Sequence, residues 1–219
     1  REKSLLETDG ATVTLTAQWK PVKAEFVYAP GTWEEGGAPE STEASSPAEI
    51  SGAVTLMSIA GATEAGFERT GKTIDKWVIN GKEYKPGTQV EISNILTSDA
   101  LTDPNAVKRT VDGYEIYTIT ATAKWKVNQY TITYDKAGVN GENATGADMD
   151  AETVSHGDAV TLKANTYTND GYVFAYWTEN ADGNGEKYAN CDTIQNITGD
   201  ITLYAHWKSE PKYKIVFDK

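Results

Sequence analysis

The chain has 219 residues, and its 20 Lys and Arg face 32 Asp and Glu, a formal net charge of −12. That surplus of acid repels phosphate, which argues against nucleic acid as a partner and against docking on an anionic bilayer; its ordinary consequence is solubility. With 39% hydrophobic and 10% aromatic residues the sequence carries too many core formers for wholesale disorder. It also has no apolar run near the ~18 residues that insertion in a membrane requires.

In chain order, the first element is residues 11–19. Strict alternation puts Leu15, Ala17 and Trp19 on one face and Thr16 and Gln18 on the other, the period of a strand with one buried side. A second strand follows at 24–28, where Phe26 and Tyr28 share a face. Residues 34–51 then form a Gly-, Pro-, Ser- and Glu-rich low-complexity loop. The alternation of the first element returns at 119–125, with Ala121, Ala123 and Trp125 inward and Thr122 and Lys124 outward. It returns again at 201–207, with Leu203, Ala205 and Trp207 inward and Tyr204 and His206 outward. Each of these two is also followed by an aromatic strand, at 130–134 and 213–217.

The interiors align as well. Tyr28 to Leu56 and Tyr134 to Leu162 are both 28 positions; Gly71 to Trp77 and Gly171 to Trp177 are both six; Tyr84 to Val90 and Tyr188 to Ile194 are both six. The copies differ in loops. Leu56 to Gly71 is 15 positions against nine, and Trp77 to Trp125 is 48 against 30. The larger insertion falls around 98–112, where Asp103-Pro104-Asn105 and Asp112-Gly113 are turn signals. Surface loops absorb such lengths at small entropic cost.

The chain is therefore expected to divide into residues 1–20, the C-terminal strand of a preceding repeat; 21–126, a full repeat with loop insertions; 127–208, a second full repeat; and 209–219, the first strand of a following one. Links of three or four residues predict a semi-rigid rod whose repeats contact their neighbours in the same chain. Strand 213–217 is also expected to be able to dock on the N-terminal piece of another molecule, a head-to-tail self-association of the open kind that can propagate.

These anchors resemble the Listeria–Bacteroides repeat. The pattern is carried by Gly157, Val160 and Leu162, by Gly171, Tyr172, Phe174 and Trp177, by Tyr188, and by Leu203, Tyr204, Ala205 and Trp207. Residues 21–126 follow it more loosely, with Ile74 at the phenylalanine position. The glycine usual before the central tryptophan is Tyr176 in one copy and Lys76 in the other, and the turn glycine is Gly87 in one copy but Cys191 in the other. The resemblance implies an all-β, β-grasp-like (ubiquitin-like) unit repeated in tandem, with short helical turns at most. It also implies an extracellular address, on the cell surface or in the cell wall of Gram-positive bacteria and Bacteroidetes.

Nothing in the sequence assembles an active site, so the chain is expected not to be an enzyme, to have no catalytic residue and to need no cofactor. His206 stands where the internal copies place Gln18 and Lys124, so an exposed strand residue is expected rather than a general base or ligand. His156 reads as a turn residue. Cys191, the single cysteine, excludes an internal disulfide and reads as a free or partly buried thiol with no activating partner nearby. The most metal-like stretch is 180–186, where Asp182, Asn184 and Glu186 alternate as calcium ligands do. It lacks a bidentate glutamate at the twelfth position and its Asp-Gly and Asn-Gly pairs are hairpin signals, so a plain turn is expected. Trp77, Trp125, Trp177 and Trp207 fall on apolar strand faces and read as core rather than sugar platforms. The function expected is a stalk presenting another domain. The rival is an adhesin that binds a host surface protein or glycan through loops 34–51 and 98–112, with Tyr176 and Tyr204 as exposed contacts.

Overall fold

The computed structural model describes residues 23–31, 48–50 and 52–212. The strands expected at 11–19 and 213–217, most of loop 34–51 and the head-to-tail contact lie outside the described residues. In chain order come β1 (Lys23–Ala29), β2 (Ala48–Ile50), β3 (Ala53–Thr55), α1 (Ile59–Glu64), β4 (Lys72–Ile79), β5 (Lys82–Tyr84), β6 (Gln89–Glu91), α2 (Ser98–Thr102), β7 (Lys108–Val111) and β8 (Tyr114–Val127). Then follow β9 (Gln129–Asp135), β10 (Glu152–Ser155), β11 (Val160–Thr161), β12 (Tyr172–Thr178), β13 (Thr193–Ile194) and β14 (Ile201–Ser209). Among the described residues strand far outweighs helix, and the two α-helices are of six and five residues.

The strands form two large sheets. The first has the order β2-β1-β8-β4-β5, with β7 also on β8; the second has the order β10-β9-β14-β12. At the centre of each lies a parallel pair. Phe26 stands opposite Ile119 and Tyr28 opposite Ala121 in the first; Ile132 stands opposite Ile201 and Tyr134 opposite Leu203 in the second. The antiparallel neighbours agree down to an irregularity. Register shifts between Ile74 and Lys76 in β4 and between Phe174 and Tyr176 in β12, so that Trp77 meets Ala123 and Trp177 meets Ala205. On their other side Trp77 faces Tyr84 and Trp177 faces Tyr188. Two small ladders, β3 with β6 and β11 with β13, complete each half.

Each sheet has its own core built round one tryptophan. Trp77 and Trp177 are wholly buried. Tyr28 meets Trp77 edge-on at 4.9 Å between ring centroids, and Tyr134 meets Trp177 at 5.1 Å, the geometry that aromatic quadrupoles favour. The tyrosine hydroxyls then accept backbone amides, from Met57 (3.0 Å) and Lys163 (2.9 Å). The strand-end tryptophans donate to equivalent carbonyls, Trp125 to Pro30 (2.7 Å) and Trp207 to Lys136 (3.2 Å). Trp207 is buried, but Trp125 is only half-buried and lies under the Arg69 guanidinium at 4.8 Å, so it is a rim residue rather than the core residue expected.

The insertions are built, not bare. Around 98–112 the chain forms α2, started by the Thr97 hydroxyl accepting Ala100 N–H, and then β7, which turns back onto β8 through Asp112 (φ 49°) and Gly113 (φ 78°). Two successive left-handed residues make the tight hairpin whose twist suits antiparallel strands. The extra residues before Gly71 hold α1, capped by Ser58. In the low-complexity segment 34–51, residues 48–50 are a strand antiparallel to β1 rather than loop, because β1 would otherwise leave that edge unpaired.

One difference between the cores is measurable. Trp77 Nε1 donates to Met57 O at 2.7 Å, whereas Trp177 Nε1 has no protein partner among the described residues. Trp77→Phe therefore removes a hydrogen bond that Trp177→Phe does not, and should cost about 1 kcal/mol more in chemical denaturation. Equal losses would count against that bond.

Candidate functional site

His206, on β14, is a buried polar side chain of the second half. It is 1% exposed, not the exposed strand residue that alternation predicts. The reason is a cover over that strand face. Residues 138–140 cross it, with a Cβ on Gly138 coming within 2.8 Å of the imidazole, and Gly183 closes from the next loop. Nδ1 accepts Val139 N–H at 2.8 Å. Nε2 lies 2.7 Å from Thr178 Oγ1, whose proton goes to Asn180 O. These partners fix the neutral ring with its proton on Nε2. Tyr176 stacks on it at 5.1 Å and Lys187 lies 4.3 Å over Tyr176, so Tyr176 is half-buried rather than an exposed contact, as is Tyr204. Burial pushes the imidazole below its usual range, and Lys187 adds to this. Both nitrogens are occupied, so the ring pins residues 138–140 to β14 and has no lone pair for a substrate or metal.

A second cluster, outside the residues singled out in the sequence, lies on the first sheet. Glu25, on β1, is buried, and its Oε2 accepts Arg109 Nε and Nη2 at 3.1 and 3.0 Å while Thr118 Oγ1 donates to Oε1 at 2.8 Å. The Arg109 hydrogen bonds, then that of Thr118, hold the carboxyl below its usual range. The trio ties β7 to β1 across β8. An acidic residue on β1 and a basic one 84 positions later were the available signal, but only the fold pairs them.

The calcium-like stretch satisfies itself. Asp182 Oδ1 accepts Asn184 N–H at 3.0 Å and Oδ2 accepts the Asn184 side-chain amide at 2.9 Å. Asn180 Nδ2 donates to Asn184 O, and Glu186 instead accepts the Tyr188 hydroxyl at 3.2 Å. Among the described residues no group of three or more His, Cys, Asp or Glu is arranged to hold a metal ion. Cys191 is exposed, in the left-handed conformation (φ 60°) that Gly87 has in the first half (φ 79°). His156 follows β10 and lies 3.4 Å from the Tyr130 hydroxyl.

Each half has a groove beyond the end of its tryptophan strand; that of the second encloses about 520 Å³ beside Glu179 and Tyr188, and that of the first is larger because the insertion adds to its wall. The first groove encloses about 650 Å³ between the end of β4 and the α2–β7 insertion, lined by Ile79, Asn80, Tyr84, Leu96, Val107 and Tyr117. It opens where β8 passes from its partner β7 (114–117) to its partner β4 (122–127), leaving Thr120 exposed between them.

Two sheets, each with a parallel pairing of an early and a late strand and each packed round a wholly buried tryptophan, define an all-β class of protein. Residues 130–206 match the family model of the Listeria-Bacteroides repeat domain, so the chain carries one such repeat there. A protein of Evansella cellulosilytica named "Putative membrane protein" is 29% identical over 92 residues, which is 42% of this chain and 13% of that protein. The chain thus spans about an eighth of the length of the curated relative it matches. Among the described residues no helix is long and apolar enough to cross a membrane.

Because the folded His206 titrates below the 6.5 of a free imidazole, the unfolded chain takes up the proton first, and stability falls as pH drops through 6.5. The denaturation midpoint should decrease between about pH 7.5 and about pH 5.5, and His206→Gln should flatten that slope; an unchanged slope would refute the pin. The self-satisfied loop predicts a melting temperature insensitive to millimolar calcium and to EDTA. A calcium-dependent rise would make Asp182, Asn184 and Glu186 ligands after all.

Proposed function

We propose that residues 21–126 and 127–208 are two tandem β-grasp-like repeats of a bacterial surface protein, and that they act as a non-enzymatic stalk that carries another domain away from the cell wall. The observation that carries this reading is the shared strand order. Each sheet sets its first strand parallel to its last with other strands outside them, an order that supports a β-grasp-like reading. Repetition of one such unit lengthens a chain without needing a new fold. The match to the Listeria-Bacteroides repeat supports the surface address, because the repeat is one of surface proteins.

The groove of the first unit favours a second reading. The half-buried Tyr84 beside Asn80 and the exposed Val107 offer stacking, amide and apolar contacts suited to a glycan or a host protein segment. In this adhesin reading the insertion 98–112 makes the contact and the rest of the chain is its support.

Multivalent display separates the two, since avidity reveals weak single-site affinities. The chain, clustered on beads, is exposed to matrix proteins, cell surfaces and a glycan array. The stalk reading expects no saturable capture. Saturable capture that disappears when 98–112 is cut back to the loop length of the second unit would establish the adhesin reading instead.

A further inference from the structure

The two sheets are joined through one residue. β8 ends at Val127 and β9 starts at Gln129, leaving Asn128 as the whole link. A single residue with free φ and ψ is a hinge, but Asn128 is held from both sides. Its N–H donates to Gly71 O at 2.8 Å, and its side-chain Oδ1 accepts the Thr73 hydroxyl at 2.6 Å; both partners belong to the first half. Its C=O accepts His156 N–H at 2.9 Å, from the second half. Any rotation at Asn128 breaks bonds to one side or the other.

A close side-chain contact adds to this. His156 lies over Gly71 so tightly that a Cβ built there would stand 2.0 Å from its Cδ2. Gly71 has φ +67°, and no side chain fits between it and the ring. On the far side the His156 ring is backed by Tyr130, at 5.9 Å between centroids. The second half offers an internal control. Gly171 O accepts Glu210 N–H at 3.0 Å, as Gly71 O accepts Asn128 N–H, and Gly171 has φ +76°. Yet among the described residues nothing comes within 4 Å of a Cβ built on Gly171. The glycine conformation belongs to the unit, and the crowding at Gly71 belongs to the joint.

We propose that Asn128, with His156 seated on Gly71, locks the two units in one relative orientation, so that the surface round Gly71 is an interface whose partner is the next unit of the same chain. The joint is then rigid although the link is one residue long. This goes beyond the stalk reading and holds equally if the first unit is an adhesive one.

The test is a distance distribution by pulsed electron spin resonance on the full chain. One spin label sits on the native Cys191 and the other on Gln89→Cys, both exposed and one in each unit. A single narrow peak is expected. Gly71→Ala should lose that peak, whereas Gly171→Ala, with the same backbone cost but no described residue within 4 Å of the added Cβ, should keep it. Asn128→Gly, which removes the Thr73 bond and frees the backbone without touching either core, should also lose it. Intrinsic tryptophan fluorescence reports that the units remain folded. A broad distribution in the unsubstituted chain, or a peak that survives in folded Gly71→Ala and Asn128→Gly, overturns the proposal. Capture by a glycan or protein in the bead assay would leave this result unaffected, so the two readings fail separately.

Discussion

Everything in each half depends on one parallel pairing. β1 lies beside β8 and β9 beside β14, so the first strand of a unit is fixed against its last. Parallel neighbours cannot be joined by a tight turn; the chain must make a long excursion between them. Here Phe26 and Ile119 are 93 positions apart and Ile132 and Ile201 are 69 apart; Phe26, Ile119 and Ile132 are buried and Ile201 is half-buried against the core. The cost of closing the longer excursion exceeds that of the shorter by only about 0.3 kcal/mol, because loop entropy grows with the logarithm of length. One sheet thus accepts α1, α2 and β7 while its centre keeps the register of the other.

The shared centre is specified by a few side-chain bonds to backbone as much as by apolar burial. Tyr28 and Tyr134 place the segments after β3 and β11 by accepting their amides, and Trp125 and Trp207 hold the turns after β1 and β9 by donating to carbonyls. An apolar residue of similar size would bury as much surface but would not choose among neighbouring registers. The irregularity before Trp77 and Trp177 has a related effect. It changes the pairing of β4 and β12 so that the tryptophan, and not its neighbour, points into the core.

Alternation, turn residues and internal spacing made the centre legible. The strands at 24–28, 119–125, 130–134 and 201–207, the equivalence of Gly87 and Cys191, and the buried Trp77 and Trp177 all follow from them. What alternation cannot report is whether a distant segment covers the outward face. Lys124 and His206 occupy the same place in their strands. Lys124 stays exposed and pairs with Glu83, but residues 138–140 lie over His206 and bury it. The Glu25–Arg109 pair was hidden for the same reason, and β7 because its Lys-Arg-Thr-Val sequence has no apolar alternation to show. The candidate metal residues were legible as a turn from their Asp-Gly and Asn-Gly pairs, and their hydrogen bonds are those of a turn.

The division between what is shared and what differs has a spatial logic. β4 runs from Lys72, beside the joint, to Ile79, at the groove. Seven steps of a strand put those ends about 23 Å apart. β8 lies antiparallel to it, with Tyr117 to Ile119 at the groove and Val127 at the joint. The larger insertion, which forms α2 and β7, therefore enters at the end of the sheet remote from Gly71, Asn128 and His156, whereas the smaller one, which holds α1, leads into Gly71. A unit built this way can alter the loop between β6 and β8, and with it the surface that loop presents, far from the contact that sets its angle to its neighbour. The parallel pair permits this because it holds both ends of the unit fixed whatever the length of chain between them.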